Sequence, residues 1–183
     1  MRCLVTGNQG FIGGHMARRL RQDGHIVIGM DSMTGTDIRE PITLNGPYDW
    51  VFHFAGLAAI PPSMTDPANY MAVNVQGTVN VLEAARKAGA KRFIYAASGT
   101  CYGHDPVLPT QEHYPLFPQS PYAMSKKLGE ELCAHWEDMY GLQTWSLRLF
   151  SPYGPRMSPG TSAMGTLIKL ARENKPITIT GDG

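Results

Sequence analysis

Hydrophobic positions along this chain alternate between short continuous runs and helical spacing. Arg2 to Thr6 is a short apolar run, read as a buried strand. A helix follows to about Gln22, with Phe11, Ile12, Met16 and Leu20 on its inward side. Gly24 ends it, and His25 to Met30 reads as a second strand. Tyr48 to Phe54 and Lys91 to Ala97 are further buried strands, separated by a long helix from Pro67 to about Gly89. Residues 101 to 120 form a proline-rich loop. The spacing then predicts a helix from Tyr122 to Tyr140, with Leu128, Leu132 and Trp136 as a core or dimer surface. Gln143 to Phe150 is a strand, Ser162 to Glu173 a short helix and Pro176 to Thr180 strand-like. Strands alternating with helices predict an α/β fold, a doubly wound parallel sheet of Rossmann type.

One interval breaks the rhythm. Ser32 to Pro47 is rich in Thr, Gly, Pro and Asp, and is too short for a crossover helix plus another strand. One helix–strand unit is expected to be missing there, so the sheet is shortened after its second strand.

Composition narrows the chemistry. The chain has 183 residues, with 16 Lys plus Arg against 15 Asp plus Glu. That balance offers no broad basic surface for nucleic acid, so an anionic ligand needs local devices. Cys3, Cys101 and Cys133 are odd in number and lack metal-type spacing, which fits a reducing compartment and no metal site. No apolar stretch spans a bilayer, and the N-terminus runs directly into a strand, so a cytoplasmic protein is expected.

Two constellations carry chemistry. Gly7, Gly10 and Gly13 lie between the first strand and first helix. They suit a tight turn, close approach of a pyrophosphate, and close packing of helix on strand. The helix N-terminus adds free N–H groups and partial positive charge for phosphates. Asp31, about 20 residues on, suits the hydroxyls of an adenosine ribose and would repel a 2′-phosphate, which favours NAD over NADP. Tyr122 and Lys126, four apart, share one helix face. An ammonium beside a phenol favours the phenolate, so Tyr122 becomes a candidate acid or base. His53, in a buried strand, reads as a satisfied core group. His104, in the loop, is a weaker candidate for substrate contact.

These pieces, with Asp37-Ile38, His53-Phe54-Ala55-Gly56, Asn74-Val75-x-Gly77-Thr78, Ser98 before Tyr102-Gly103, and Arg148-x-Phe150 before Tyr153-Gly154-Pro155-Arg156, cover nearly the whole chain. In this order they resemble the extended short-chain dehydrogenase/reductase family, in its nucleotide-sugar epimerase and dehydratase branch. The general type is that of a UDP-hexose 4-epimerase. The resemblance implies Tyr122 as acid/base, Lys126 on the nicotinamide ribose, and Ser98 on the reacting hydroxyl. It implies NAD contacts from Gly7, Gly10, Phe11, Ile12, Gly13, Asp31, Asp37, Ile38, Phe54, Ala55, Gly56, Asn74, Tyr122 and Lys126. Substrate contacts fall on Ser98, Thr100, Phe150, Ser151 and Arg156. A homodimer through helices 67–89 and 121–140 is also implied.

Three departures qualify this. Gly99-Thr100 stands where dehydrating relatives carry an acidic pair, which argues against a dehydratase. Ser151 stands where many relatives have Asn. The chain stops at Gly181-Asp182-Gly183, where relatives continue into a substrate lobe. The expected organisation is therefore a cofactor domain over 1–160 with a remnant lobe over 161–183, the rest borrowed from a second protomer or reduced. An NAD-dependent sugar-nucleotide epimerase is the leading expectation. A reductase or dehydrogenase using the same groups, and an NAD-binding module without turnover, are the alternatives.

Overall fold

The structure is a computed structural model that describes residues 1–157 and 163–178. It divides into two compact units, Met1–Phe150 and Ser151–Gly183.

The larger unit is a five-stranded sheet with every pairing parallel, in the order β2-β1-β3-β4-β5. The strands are β1 (Arg2–Thr6), β2 (Ile26–Met30), β3 (Trp50–His53), β4 (Arg92–Ser98) and β5 (Gln143–Leu149). Helix α1 (Phe11–Gln22) joins β1 to β2. Its fully buried positions are Gly13, Gly14 and Ala17, whereas Phe11, Ile12, Met16 and Leu20 are half-buried. Small residues let this helix lie close to the strands, so the large apolar side chains are pushed to its flanks.

β2 is an edge strand, and the chain passes from it to β3 without another strand. A 3-10 turn (Ser32–Thr34) is followed by an irregular segment. This segment does a helix's work with few residues. Ile38 is buried in the core, and Ile42 and Leu44 pack against it. The Asn80 side-chain amide donates to the carbonyls of Ile38 and Arg39 at 2.8 and 2.9 Å, tying down backbone that no helix satisfies.

Between β3 and β4 run α2 (Ile60–Thr65), α3 (Pro67–Met71), a π-helical stretch (Ala72–Gln76) and α4 (Gly77–Lys87). The pattern predicts the long helix but not α2, which opens on two consecutive prolines, nor the π-helical register in its middle. Asp66 starts α3 by accepting from the Asn69 N–H at 3.3 Å. Helix α5 (Pro121–Tyr140) begins on Ser120, whose hydroxyl accepts from the Ala123 N–H at 3.1 Å, with Pro121 at the first position. It ends on Gly141 at φ +70°. Leu132 and Trp136 of α5 pack against the core.

The smaller unit contains α6 (Ala163–Arg172). Residues 176–178 are not in a strand; the rest of the strand-like interval lies outside the described residues.

Candidate active site

Strand order reverses direction between β1 and β3, so their carboxyl ends border a crevice, the usual ligand position in such sheets. Gly7 sits at the end of β1 with φ +68°. A Cβ there would lie 2.7 Å from the Ala55 nitrogen and 2.9 Å from the Phe54 carbonyl oxygen. Glycine is therefore required both by conformation and by the approach of the two strand ends. At Gly13 a Cβ would collide with the Gly7 carbonyl oxygen, so helix and turn can only close this far without a side chain. Gly10 caps α1 and brings no side chain to its N-terminus. The turn thus leaves a bare, backbone-lined cradle at a helix start, which fits a pyrophosphate. Phe11 and Ile12 form the first turn of that helix.

Asp31 follows β2 and is 8 % exposed. Its carboxylate accepts from the Gln9 N–H at 2.9 Å and the Met33 N–H at 3.0 Å, bracing the glycine turn from the adjacent strand. Each carboxylate oxygen has further lone-pair capacity for ribose hydroxyls. Asp37 is held in a two-pronged pair by Arg39, whose guanidinium keeps its carboxyl below the usual range. Its neighbour Ile38 is buried rather than presented to a ligand. Cradle and ribose carboxylate together suit a dinucleotide.

Asn74 is 1 % exposed and sits in the π-helical stretch. It holds residue 57 of the β3 loop from both sides: its Oδ1 accepts from the Leu57 N–H at 2.8 Å and its Nδ2 donates to the Leu57 carbonyl at 3.0 Å. The same Nδ2 reaches Ser125 Oγ at 2.9 Å. The sequence leaves Asn74 open between cofactor and solvent; the structure shows it bound to protein.

Lys126 is buried on α5. Its Nζ donates to the Ala96 carbonyl at 2.9 Å and lies 5.1 Å from the centre of the Tyr95 ring. A Cβ on Gly56 would stand 3.5 Å from that ammonium, so Lys126 reaches the β3 loop as well as β4. Burial lowers its pKa to about 8. Tyr122, one turn earlier, is largely buried, with its ring edge-on to Tyr70 at 6.2 Å. The phenol's pKa is raised, chiefly by burial, while the neighbouring Ser98 side chain opposes the rise. Lys126, expected to lower this pKa, is not among the groups that shift it; its ammonium donates to the Ala96 carbonyl instead of to the phenol.

Ser98 ends β4. Its hydroxyl accepts from Thr100 Oγ1 at 2.9 Å and from the Thr100 N–H at 3.3 Å, starting a 3-10 turn over Gly99–Tyr102. The Phe150 ring lies where a Cβ on Gly99 would stand, stacks on Tyr102 at 6.1 Å, and remains 62 % exposed. Arg148, which the sequence marks only as a motif position, holds this wall together. It forms a forked pair with Glu130, with bonds at 2.8 and 3.0 Å, and donates to the Tyr102 hydroxyl and the Glu112 carbonyl. His104 is exposed in the loop. In the smaller unit Ser151 is exposed at φ +37°, and Arg156 lines a concavity with Lys169, Arg172 and Glu173.

A dinucleotide cradle beside a Ser, Tyr and Lys group invites comparison with known proteins. The NAD dependent epimerase/dehydratase family matches residues 3–183. The chain belongs to this family. A UDP-glucose 4-epimerase of Mycolicibacterium smegmatis is 34 % identical over 212 aligned positions, covering 100 % of this chain and 67 % of that protein. The alignment is longer than the 183 residues present, so that relative has positions without counterpart in this chain. Among solved structures, the Thermus thermophilus UDP-glucose 4-epimerase in complex with NAD superposes with a TM-score of 0.86. It is 30 % identical, over 98 % of this chain and 65 % of that one. The Thermotoga maritima UDP-glucose 4-epimerase with UDP-glucose gives 0.88 at 30 % identity, over 100 % and 67 %. The chain spans about two thirds of the length of the curated relatives it matches. No described helix is long and apolar enough to cross a membrane.

Proposed function

We propose that this chain binds NAD in the β1–β3 crevice and supplies the acid/base half of a nucleotide-sugar 4-epimerase. One observation carries the reading. Ser98 ends β4 close enough to Tyr122 for its side chain to favour the phenolate, and Lys126 is buried one helical turn from Tyr122, at the sheet edge that also bears the glycine turn. NAD, when bound, supplies reversible hydride exchange with a sugar carbon. The protein's own residues do the rest. Tyr122 as phenolate takes the proton of the sugar hydroxyl while that carbon gives up hydride, leaving a ketone. Tyr122 then returns the proton as hydride comes back to the other face. Ser98 orients the hydroxyl and favours release of the phenol's proton. Lys126, charged below about pH 8, puts a positive charge on the crevice floor.

Asp31 supports NAD over NADP, since a 2′-phosphate would face a buried carboxylate. Thr100 offers a hydroxyl but no acid where a dehydratase needs one, which supports epimerisation over dehydration. Phe150, Ser151 and Arg156 are our candidates for sugar-nucleotide contacts. For a homodimer we propose the faces of α4 and α5, the latter showing exposed Met139 and Tyr140.

The test is calorimetric titration with NAD, then incubation with UDP-, GDP-, CDP- and dTDP-sugars read by NMR. We expect NAD binding and inversion at one sugar carbon. Binding without inversion would reduce the protein to a nucleotide-holding module. Failure to bind NAD would remove the reading altogether.

A further inference from the structure

Beneath the crevice lies a continuous chain of buried polar groups with no role in the chemistry above. Thr6, His53, Asn74 and Thr78 are each essentially inaccessible to solvent. Thr6 Oγ1 is 2.7 Å from His53 Nδ1, and His53 Nε2 is 3.1 Å from Thr78 Oγ1. Thr78 Oγ1 is 2.6 Å from the Asn74 carbonyl oxygen. At the other end, the Ala55 N–H donates to Thr6 Oγ1 at 3.1 Å.

Counting protons fixes the direction of every bond. A carbonyl only accepts, so the single Thr78 hydroxyl proton goes to Asn74. Facing His53, Thr78 must then accept, which puts the imidazole proton on Nε2. In a neutral ring Nδ1 is left bare, so it accepts from Thr6. Thr6 has given away its proton and keeps lone pairs for the Ala55 N–H. The ring is neutral because burial, helped by the charge of Lys126, lowers its pKa to about 3. Each link uses one donor and one acceptor.

The two ends of this chain are the two halves of the site. Thr6 and Ala55 flank the contact between the Gly7 turn and the β3 loop. The Asn74 carbonyl belongs to the residue whose amide grips Leu57 and Ser125, and Ser125 Oγ donates to the Tyr122 carbonyl at 2.7 Å. The π-helical register around Asn74 is a departure from regular helix of a kind that recurs at functional sites. We propose that His53, as its Nε2–H tautomer, is a positioning residue that sets the dinucleotide cradle against the catalytic helix through this one-way chain. Thr78, which is not at the crevice surface, is then as necessary to cofactor binding as a residue nearer the ligand.

This rests on the NAD-binding half of the proposed function, and the experiment separates the two. In the NAD-free protein, long-range proton–nitrogen NMR should show His53 protonated on Nε2 and bare on Nδ1 from about pH 5 to 8. Thr78→Val removes one hydroxyl at nearly constant shape. It is expected to shift the amides of Gly7 and Ala55 and weaken NAD about fivefold, one hydrogen bond's worth. Thr78→Ser is expected to restore both. A proton on Nδ1, or Thr78→Val with those amides unmoved, would overturn the chain. The tautomer is read on the wild-type protein, so it decides the matter even where Thr78→Val fails to fold. Wild-type protein that does not bind NAD would count against the proposed function, while tautomer and amides still decide this one.

Discussion

The two walls of the crevice are built on opposite principles. The wall formed by the ends of β1 and β3 and by Asn74 is stitched with buried hydrogen bonds: Thr6, His53, Thr78, Asn74 and Ser125 all have partners. Leaving one such buried group unpaired costs about 1–3 kcal/mol, so this wall has essentially one arrangement. The opposite wall, from the end of β4 through residues 103–120, has short local bonds around Ser98 and exposed apolar side chains, Val107, Leu108, Phe117 and Phe150. Arg148 and Glu130 anchor its base, whereas its rim carries short local bonds such as that from Thr110 Oγ1 to the Val107 carbonyl. A dinucleotide needs the same cradle at every turnover, which a stiff wall provides. Under the proposed function a sugar would enter and leave, which suits the wall with fewer buried bonds.

Three experiments probe that division, in falling order of effect. The largest acts where the walls meet. Tyr122→Phe keeps the ring against Tyr70 but removes the titrating group. Turnover should fall about 10²–10⁴-fold, with NAD affinity held within about twofold. A variant that still turns over would mean the proton is handled elsewhere.

The second probes the stitched wall through acid. His53 has a folded pKa near 3 against an ordinary value of 6.5. Below pH 6.5 the unfolded chain takes up a proton that the folded chain refuses. Stability from this group is therefore complete above pH 6.5 and declines toward pH 3, on the order of 5 kcal/mol in all. Glu83, held down to about 2 by Arg86, adds its loss only below its ordinary 4.5. Urea melts between pH 4.5 and 6.5 therefore isolate the histidine. A flat profile there would show that the ring is not confined to its neutral form.

The smallest effect tests whether unpaired groups outside the stitched wall are tolerated at a cost. The Tyr95 hydroxyl on β4 is buried with no partner among the described residues, its ring lying under Lys126. Tyr95→Phe should raise stability by about 1 kcal/mol, seen as a higher melting temperature. A loss instead would indicate a partner for that hydroxyl.

Much of this is legible in the sequence. The Gly7, Gly10 and Gly13 turn can be placed because strand, glycine spacing and helix reinforce one another within a few residues. The shortened stretch after β2 is legible from length alone. Arg148 cannot be recognised as an anchor, because its partners Tyr102, Glu112 and Glu130 come from segments far apart in sequence. The inward face of α1 differs from its expected one for a related reason. Hydrophobicity points to Phe11 and Leu20, but close packing selects Gly13, Gly14 and Ala17.

By itself the sequence determined the order of the five sheet strands and the main helices, the parallel sheet, the glycine turn and the sharing of one helix face by Tyr122 and Lys126. All of these follow from local steric preference and the period of apolar residues. Only the tertiary structure decided the protonation and bonding of the buried groups. Lys126 turns to the Ala96 carbonyl, burial raises the Tyr122 pKa, and His53 joins Thr6 to Thr78. Proton positions and charge depend on which distant groups are brought within hydrogen-bond reach and how much water is excluded, and neither is encoded in the spacing of residues along the chain.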